Sequence, residues 1–144
     1  MMPGTRVRPA FVGPHEDREL DLMKTGIKPL AMFVEPLEPE FEYFPETSFD
    51  EMVAQGRLVK RTRIENLNGP SGRPESIRRV LYALPHEIWR IDAILFLQDL
   101  YDSRPPGRHL DLDRAIGLLL GYDRSDIERY LIWLSERQST PTAN

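Results

Sequence analysis

The sequence predicts an α+β fold: a small, largely antiparallel sheet of about three strands packed with about five helices and closed by a C-terminal αα-hairpin. Three observations carry this. Two basic strand-like runs, RLVKRTRIE (57–65) and SIRRVLYAL (76–84), flank NLNGPSGRPE, a connection too short to hold a crossover helix, so the two pair antiparallel. Glycine and proline breaks separate the remaining segments, of which IKPLAMFVE reads as a third strand and the others as helices. The C-terminal stretch DRAIGLLLGYDRSDIERYLIWL reads as helix, glycine turn, helix.

In chain order, residues 1–13 read as a flexible leader, 14–137 as one domain and 138–144 as a flexible polar tail. HEDRELDLMKTG (15–26) has Leu20 and Met23 on one helical face and Gly26 as its stop. IKPLAMFVE (27–35) is a short apolar run ending at Pro36, so it is assigned as a strand, with Pro29 near its start or on an edge. The acidic, proline-punctuated PLEPEFEYFPE is a surface loop. Thr47 or Ser48 is expected to cap a helix that Gly56 ends. PHEIWRIDAILFLQDLYD, from Pro85, is apolar on so many sides that it reads as central. The broad stripe of Trp89, Ala93, Phe96, Leu97 and Leu100 is expected to face the core, with Trp89 and Phe96 as its anchors. Ile88, Ile91 and Leu95 add apolar groups on the opposite side.

The 144 residues suffice for one independent core, and the absence of cysteine excludes disulfides, thiolate metal sites and a cysteine nucleophile. No apolar run approaches the roughly 20 residues of a membrane span. A soluble, cytoplasmic protein with no membrane association is expected. The net charge of −4 hides an uneven distribution. Residues 35–51 hold seven carboxylates and no Lys or Arg, whereas residues 57–79 hold seven basic residues against Glu65 and Glu75. Sixteen of the nineteen basic residues are arginine, the side chain suited to bidentate recognition of carboxylate or phosphate.

Sequences resembling catalytic sites are scarce. There is no Gly-x-Ser-x-Gly, no Walker loop and no Gly-x-Gly-x-x-Gly. Two Pro-His-Glu tripeptides give His15, Glu16, His86 and Glu87, which together offer a metal or acid–base set. Proline at a first helical position and glutamate in a first turn explain both tripeptides as helix starts instead, so no metal and no cofactor are expected. Arg90, in the row of Ile94, Leu97 and Tyr101, is a candidate anion or ion-pair site because a charge on a buried face needs a partner.

Two function classes follow besides an enzyme built on the His-Glu pairs. The favoured one is a non-enzymatic binding or regulatory protein that meets a protein partner through the basic hairpin 57–79. Strand alternation puts Arg57, Val59, Arg61 and Arg63 on one face, expected to point outward, with Arg78 or Arg79 of the paired strand beside them. The same cluster is also placed to neutralise the chain's own acidic segment. The alternative is a DNA-binding regulator using the segment 112–134, which resembles a helix-turn-helix. Nucleic acid is disfavoured, because Asp123, Asp126 and Glu128 accompany Arg124 and Arg129 on the second helix. Oligomeric state is open.

Overall fold

Antiparallel pairing of the strands Leu30–Pro36 (β1), Pro74–Ala83 (β3) and Val59–Asn68 (β2), in that spatial order, organises the molecule, and helices cover both faces of that sheet. The computed structural model describes residues 11, 13–68 and 74–139. Its elements are α1 (Glu19–Lys24), β1 (Leu30–Pro36), α2 (Glu46–Ala54), β2 (Val59–Asn68) and β3 (Pro74–Ala83), then a 3-10 turn (Pro85–Glu87), α3 (Trp89–Ser103), α4 (Leu110–Leu119) and α5 (Arg124–Ser139). The fold class, the three strands, the five helices and the closing hairpin are those the sequence predicts. Of the expected leader and tail, residues 1–10, 12 and 140–144 lie outside the described residues. Helix α5 runs on through 138 and 139.

β3 is the central strand, and that explains its apolar run. Val80, Leu81, Tyr82 and Ala83 are all fully buried, because alternate residues meet cores on opposite sides. On one side, Val80 and Tyr82 join Ala31, Phe44, Phe49, Met52 and Met23 under α1 and α2. On the other, Leu81 and Ala83 join Leu30 with Ile91 and Ile94 of α3, and α4 packs behind them through Ile116, Leu119 and Leu120. A third cluster, Ile127, Leu131 and Leu134, seats α5 against Leu110 and Tyr122.

The hairpin of α4 and α5 depends on two glycines. Helix α4 ends with Gly121 N–H donating to Leu118 O and Tyr122 N–H to Gly117 O, a pairing that needs a left-handed residue at Gly121, where φ is 81°. Any Cβ there would also lie 2.4 Å from Pro29 Cδ. At Gly117 a Cβ would sit 3.1 Å from Ile127 Cγ1, so the missing side chain lets the two helices approach. Gly26 and Gly56 end α1 and α2 with the same bond pattern, as expected.

Three local expectations are corrected. Helix α1 begins only at Glu19; residues 14–18 form turns, with Asp17 at a φ of 64°, so His15 does not sit in a helix's first turn. Helix α2 starts at Glu46 after Pro45 with no side-chain cap, and Thr47 and Ser48 lie inside it. Its start is held by tertiary ion pairs of Glu46, described below, rather than by a hydroxyl. The largest correction concerns α3. Ile91 and Ile94 are fully buried, whereas Trp89 is 56% and Phe96 67% exposed. The helix is apolar nearly all round, so its periodicity left the buried side undetermined, and the sheet took the β-branched face.

Candidate functional site

The arginines singled out by sequence occupy both faces of the sheet. Arg57 lies just before β2, exposed, with Nη1 3.4 Å from Gln55 Oε1. Register pairs Arg61 with Leu81 and Arg63 with Arg79, so these share the α3 side. Arg61 forms an ion pair with Asp92 of α3. Arg63 Nη1 donates to Asp99 Oδ2 at 3.1 Å, one helical stretch further on. Glu65 separates the two facing like charges: its Oε2 accepts from Arg63 Nε at 2.8 Å and from Arg79 Nε at 2.7 Å. Burial raises the Glu65 carboxyl, but the two guanidiniums outweigh it and hold it below the usual range. The expectation that this face simply points outward is therefore corrected. Helix α3 covers its near end, because the sheet buries both sides and not one. Ile64, which alternation places on the opposite face of β2, is 61% exposed.

Arg78 faces the α2 side. It pairs with Glu35, to which Nε donates at 2.8 Å, and holds Glu46 with both terminal nitrogens, at 2.9 and 2.6 Å. Lys60 completes the group by donating to Glu46 Oε2 at 2.9 Å and Asp50 Oδ2 at 3.1 Å. The buried Tyr82 hydroxyl donates to Asp50 Oδ1 at 2.9 Å. Hydrogen bonding from Arg78, aided by Lys60, lowers Glu46 to about 2. So Arg78 and Lys60 neutralise the acidic segment, whereas Arg61 and Arg63 neutralise α3.

Arg90 is an ion-pair and capping residue. Its Nε donates to Glu87 Oε2 at 2.7 Å, and its Nη1 to the carbonyls of Leu118 and Leu119 at 3.2 and 3.1 Å. A cation at the open carbonyls of α4 complements the helix dipole there. The guanidinium also lies 4.8 Å from the Trp89 ring centroid.

The two Pro-His-Glu tripeptides have different surroundings. His86 lies in the 3-10 turn that Pro85 opens ahead of α3, is largely exposed, and comes within 3.9 Å of Glu87. His15 stacks on Tyr122, with ring centroids 4.4 Å apart, and its Nδ1 meets Lys28 Nζ at 2.9 Å. Glu16 sits in the turns after it, and Glu87 is engaged by Arg90 and Trp89. Among the described residues no three His, Cys, Asp or Glu side chains gather as a metal site.

Lys28 was not singled out by sequence, and it is the least expected charged residue of the fold. It is 1% exposed, donates to Leu120 O at 2.6 Å, and lies 4.7 Å from the Tyr122 ring centroid. It thus ties the N-terminal turns to the C-terminus of α4. Burial brings it down to about 8 against the pull of Glu19. Burial, with the charges of Lys28 and Arg18, brings His15 down to about 4. The unfolded chain therefore takes up a proton at His15 first as pH falls below about 6.5. Stability from neutral His15 is complete above that pH and is lost progressively toward pH 4. In thermal scans over this window, His15→Gln is expected to flatten the loss of melting temperature relative to wild type. Glu19 and Asp113, raised by burial, act with the opposite sign in both proteins, so the difference between the two scans isolates His15. An unchanged slope would remove His15 from this role.

The outer face of α3 is the remaining feature. Trp89, Ala93, Phe96 and Leu100 share it, and the exposed carboxylates Asp92 and Asp99 run along the edge toward β2. Its signal in the sequence was the excess of apolar residues on a single helix. On α5 and just before it the exposed positions include Arg124, Arg129, Arg137 and Ile132 with Asp123 and Glu136, a mixed rather than basic surface. Among the described residues no helix is long and apolar enough to cross a membrane. No family model, no curated protein and no solved structure matches the chain.

Proposed function

We propose that the chain is a cytoplasmic, non-enzymatic binding and regulatory protein that engages a protein partner through the outer face of α3 and the arginine rim of β2. The observation that supports this is the exposure of Trp89 and Phe96, two turns apart on one face. Tryptophan and arginine dominate the energetics of protein interfaces, and large aromatics left in water mark contact surfaces. Arg61 and Arg63 keep the role expected of them in a changed form. Their ion pairs with Asp92 and Asp99 border the aromatic face, and the side chains of Arg61, Asp92 and Asp99 retain 41%, 71% and 66% exposure. The partner is a protein with an apolar recess and a rim of both charge signs, with which these pairs can exchange. Arg78 and Arg79 are committed to carboxylates of the fold and lie outside the contact.

Two results are expected. Trp89→Ala and Phe96→Ala change unfolding free energy by no more than about 1 kcal/mol, as surface substitutions do. Photocrosslinking from p-benzoylphenylalanine at position 96, in cells expressing the chain, yields one discrete heterologous protein adduct. Trp89→Ala and the Arg61→Ala/Arg63→Ala pair weaken that adduct, the latter with reduced salt dependence. An adduct of two copies of the chain, a nucleic-acid adduct or no adduct overturns the reading.

A further inference from the structure

A cavity of about 330 Å³ opens between the N-terminal turns, α4 and α5, away from the α3 face. It is roughly twice the size of an engineered apolar cavity that admits benzene. Phe11, Tyr122, Tyr130 and Ile127 line it, together with two carboxylates, Asp113 from the first turn of α4 and Asp126 from that of α5. Asp113 Oδ2 is buried and has no hydrogen-bond partner among the described residues. An unsatisfied carboxylate oxygen next to a cavity is costly for the fold, and a ligand donor relieves that cost.

We propose that this cavity binds a small organic ammonium ion, with an aromatic or aliphatic body of about a dozen non-hydrogen atoms seated among the rings and its charged nitrogen donating to Asp113. The surroundings favour that sign of charge. Burial raises the Asp113 carboxyl, partly offset by the charges of Arg108 and His109 and by a hydrogen bond from Tyr101, and a cationic nitrogen beside it would act in the same direction as those groups. Tyr122 feels Glu19 and Glu16 in addition to its burial. Among the described residues the cation over that ring is Lys28, which is already committed to Leu120 O and His15. A carboxylate ligand would meet Asp113 and Asp126 instead. Aromatic rings with carboxylates alongside are a combination by which proteins hold amines; Tyr122 also stacks on His15 and Tyr130 on Trp133, so Phe11 and the ring edges are what the cavity offers besides the carboxylates.

The test uses two probes with the same indole and ethylene body and opposite charge, tryptamine and indole-3-propionate, titrated into the full chain and followed by amide chemical shifts. Tryptamine is expected to shift Ile116, Gly117 and Ile127 and to bind about tenfold or more tighter than the anion, the discrimination of one charge-assisted bond. Asp113→Asn, checked for folding by circular dichroism, is expected to abolish that preference. If this variant does not fold, Asp126→Asn is expected to weaken tryptamine, and the probe pair on the wild-type chain decides independently. Equal binding of the two probes, indifference to the carboxylate substitutions, or shifts confined to residues outside the cavity overturn the proposal. Partner crosslinking at α3 plays no part in this readout, so the two assignments stand or fall separately.

Discussion

Phe49→Ala is expected to lower unfolding free energy by about 3–5 kcal/mol, a large part of the roughly 5–15 kcal/mol that holds a domain together. Phe49 is 1% exposed and sits among aromatics from β1, β3 and the loop before α2. Its ring lies 4.7 Å from that of Tyr82 in a stacked arrangement and 5.2 Å from Phe33 edge-on, with Phe44 at 6.3 Å. Truncation leaves a cavity that Tyr82 cannot fill, because its hydroxyl is tied to Asp50. The melting temperature is expected to fall by on the order of 10 °C, at about 2–4 °C per kcal/mol for a chain of this length. A Phe49→Ala melting curve that overlays the wild type would show that the α2 side of the sheet is not a core.

Arg78→Ala is expected to cost about 3 kcal/mol, the lower end for breaking a buried ion pair, since a quarter of the Arg78 side chain still reaches solvent. The loss arises from what remains. Glu35 is 7% exposed and its carboxylate loses its guanidinium, while Glu46 keeps only Lys60. Pairing Arg78→Met with Glu35→Leu is expected to recover most of the stability, because an apolar pair removes both buried charges at once. Urea midpoints of the three proteins measure this. Equal midpoints for Arg78→Ala and the double variant would mean that Glu35 finds water. The acid limb supplies a second reading. Glu46 is depressed to about 2, so its contribution is complete above about pH 4.5 and disappears as pH falls toward 2. In Arg78→Ala that part of the acid transition is expected to shrink.

Particular residues show what could be read in advance. The strand-like runs at 57–65 and 76–84 paired as expected because their connection was too short for any other topology. The glycines at 26, 56 and 121 ended helices because each supplies the left-handed residue that the closing bonds require. The candidate surface was half legible. Arg61 and Arg63 were marked by charge, but their partners on α3 lie 31 and 36 residues away, a separation over which no local pattern speaks. Lys28 was invisible because its acceptor, Leu120 O, lies 92 residues away.

The sequence by itself determined the fold class, the order of elements and the close approach of α4 to α5 at Gly117. These rest on period, turn chemistry and short connections, all of them local. Only the tertiary structure decided which side of an all-round apolar helix is buried, and hence that Ile91 and Ile94 make the core while Trp89 and Phe96 face water. It also decided that both sides of the sheet are covered and which carboxylate each arginine meets. The physical reason is common to these outcomes. Burial and ion pairing are set by what another element presents across space, and apolar area carries no direction until that element is in place.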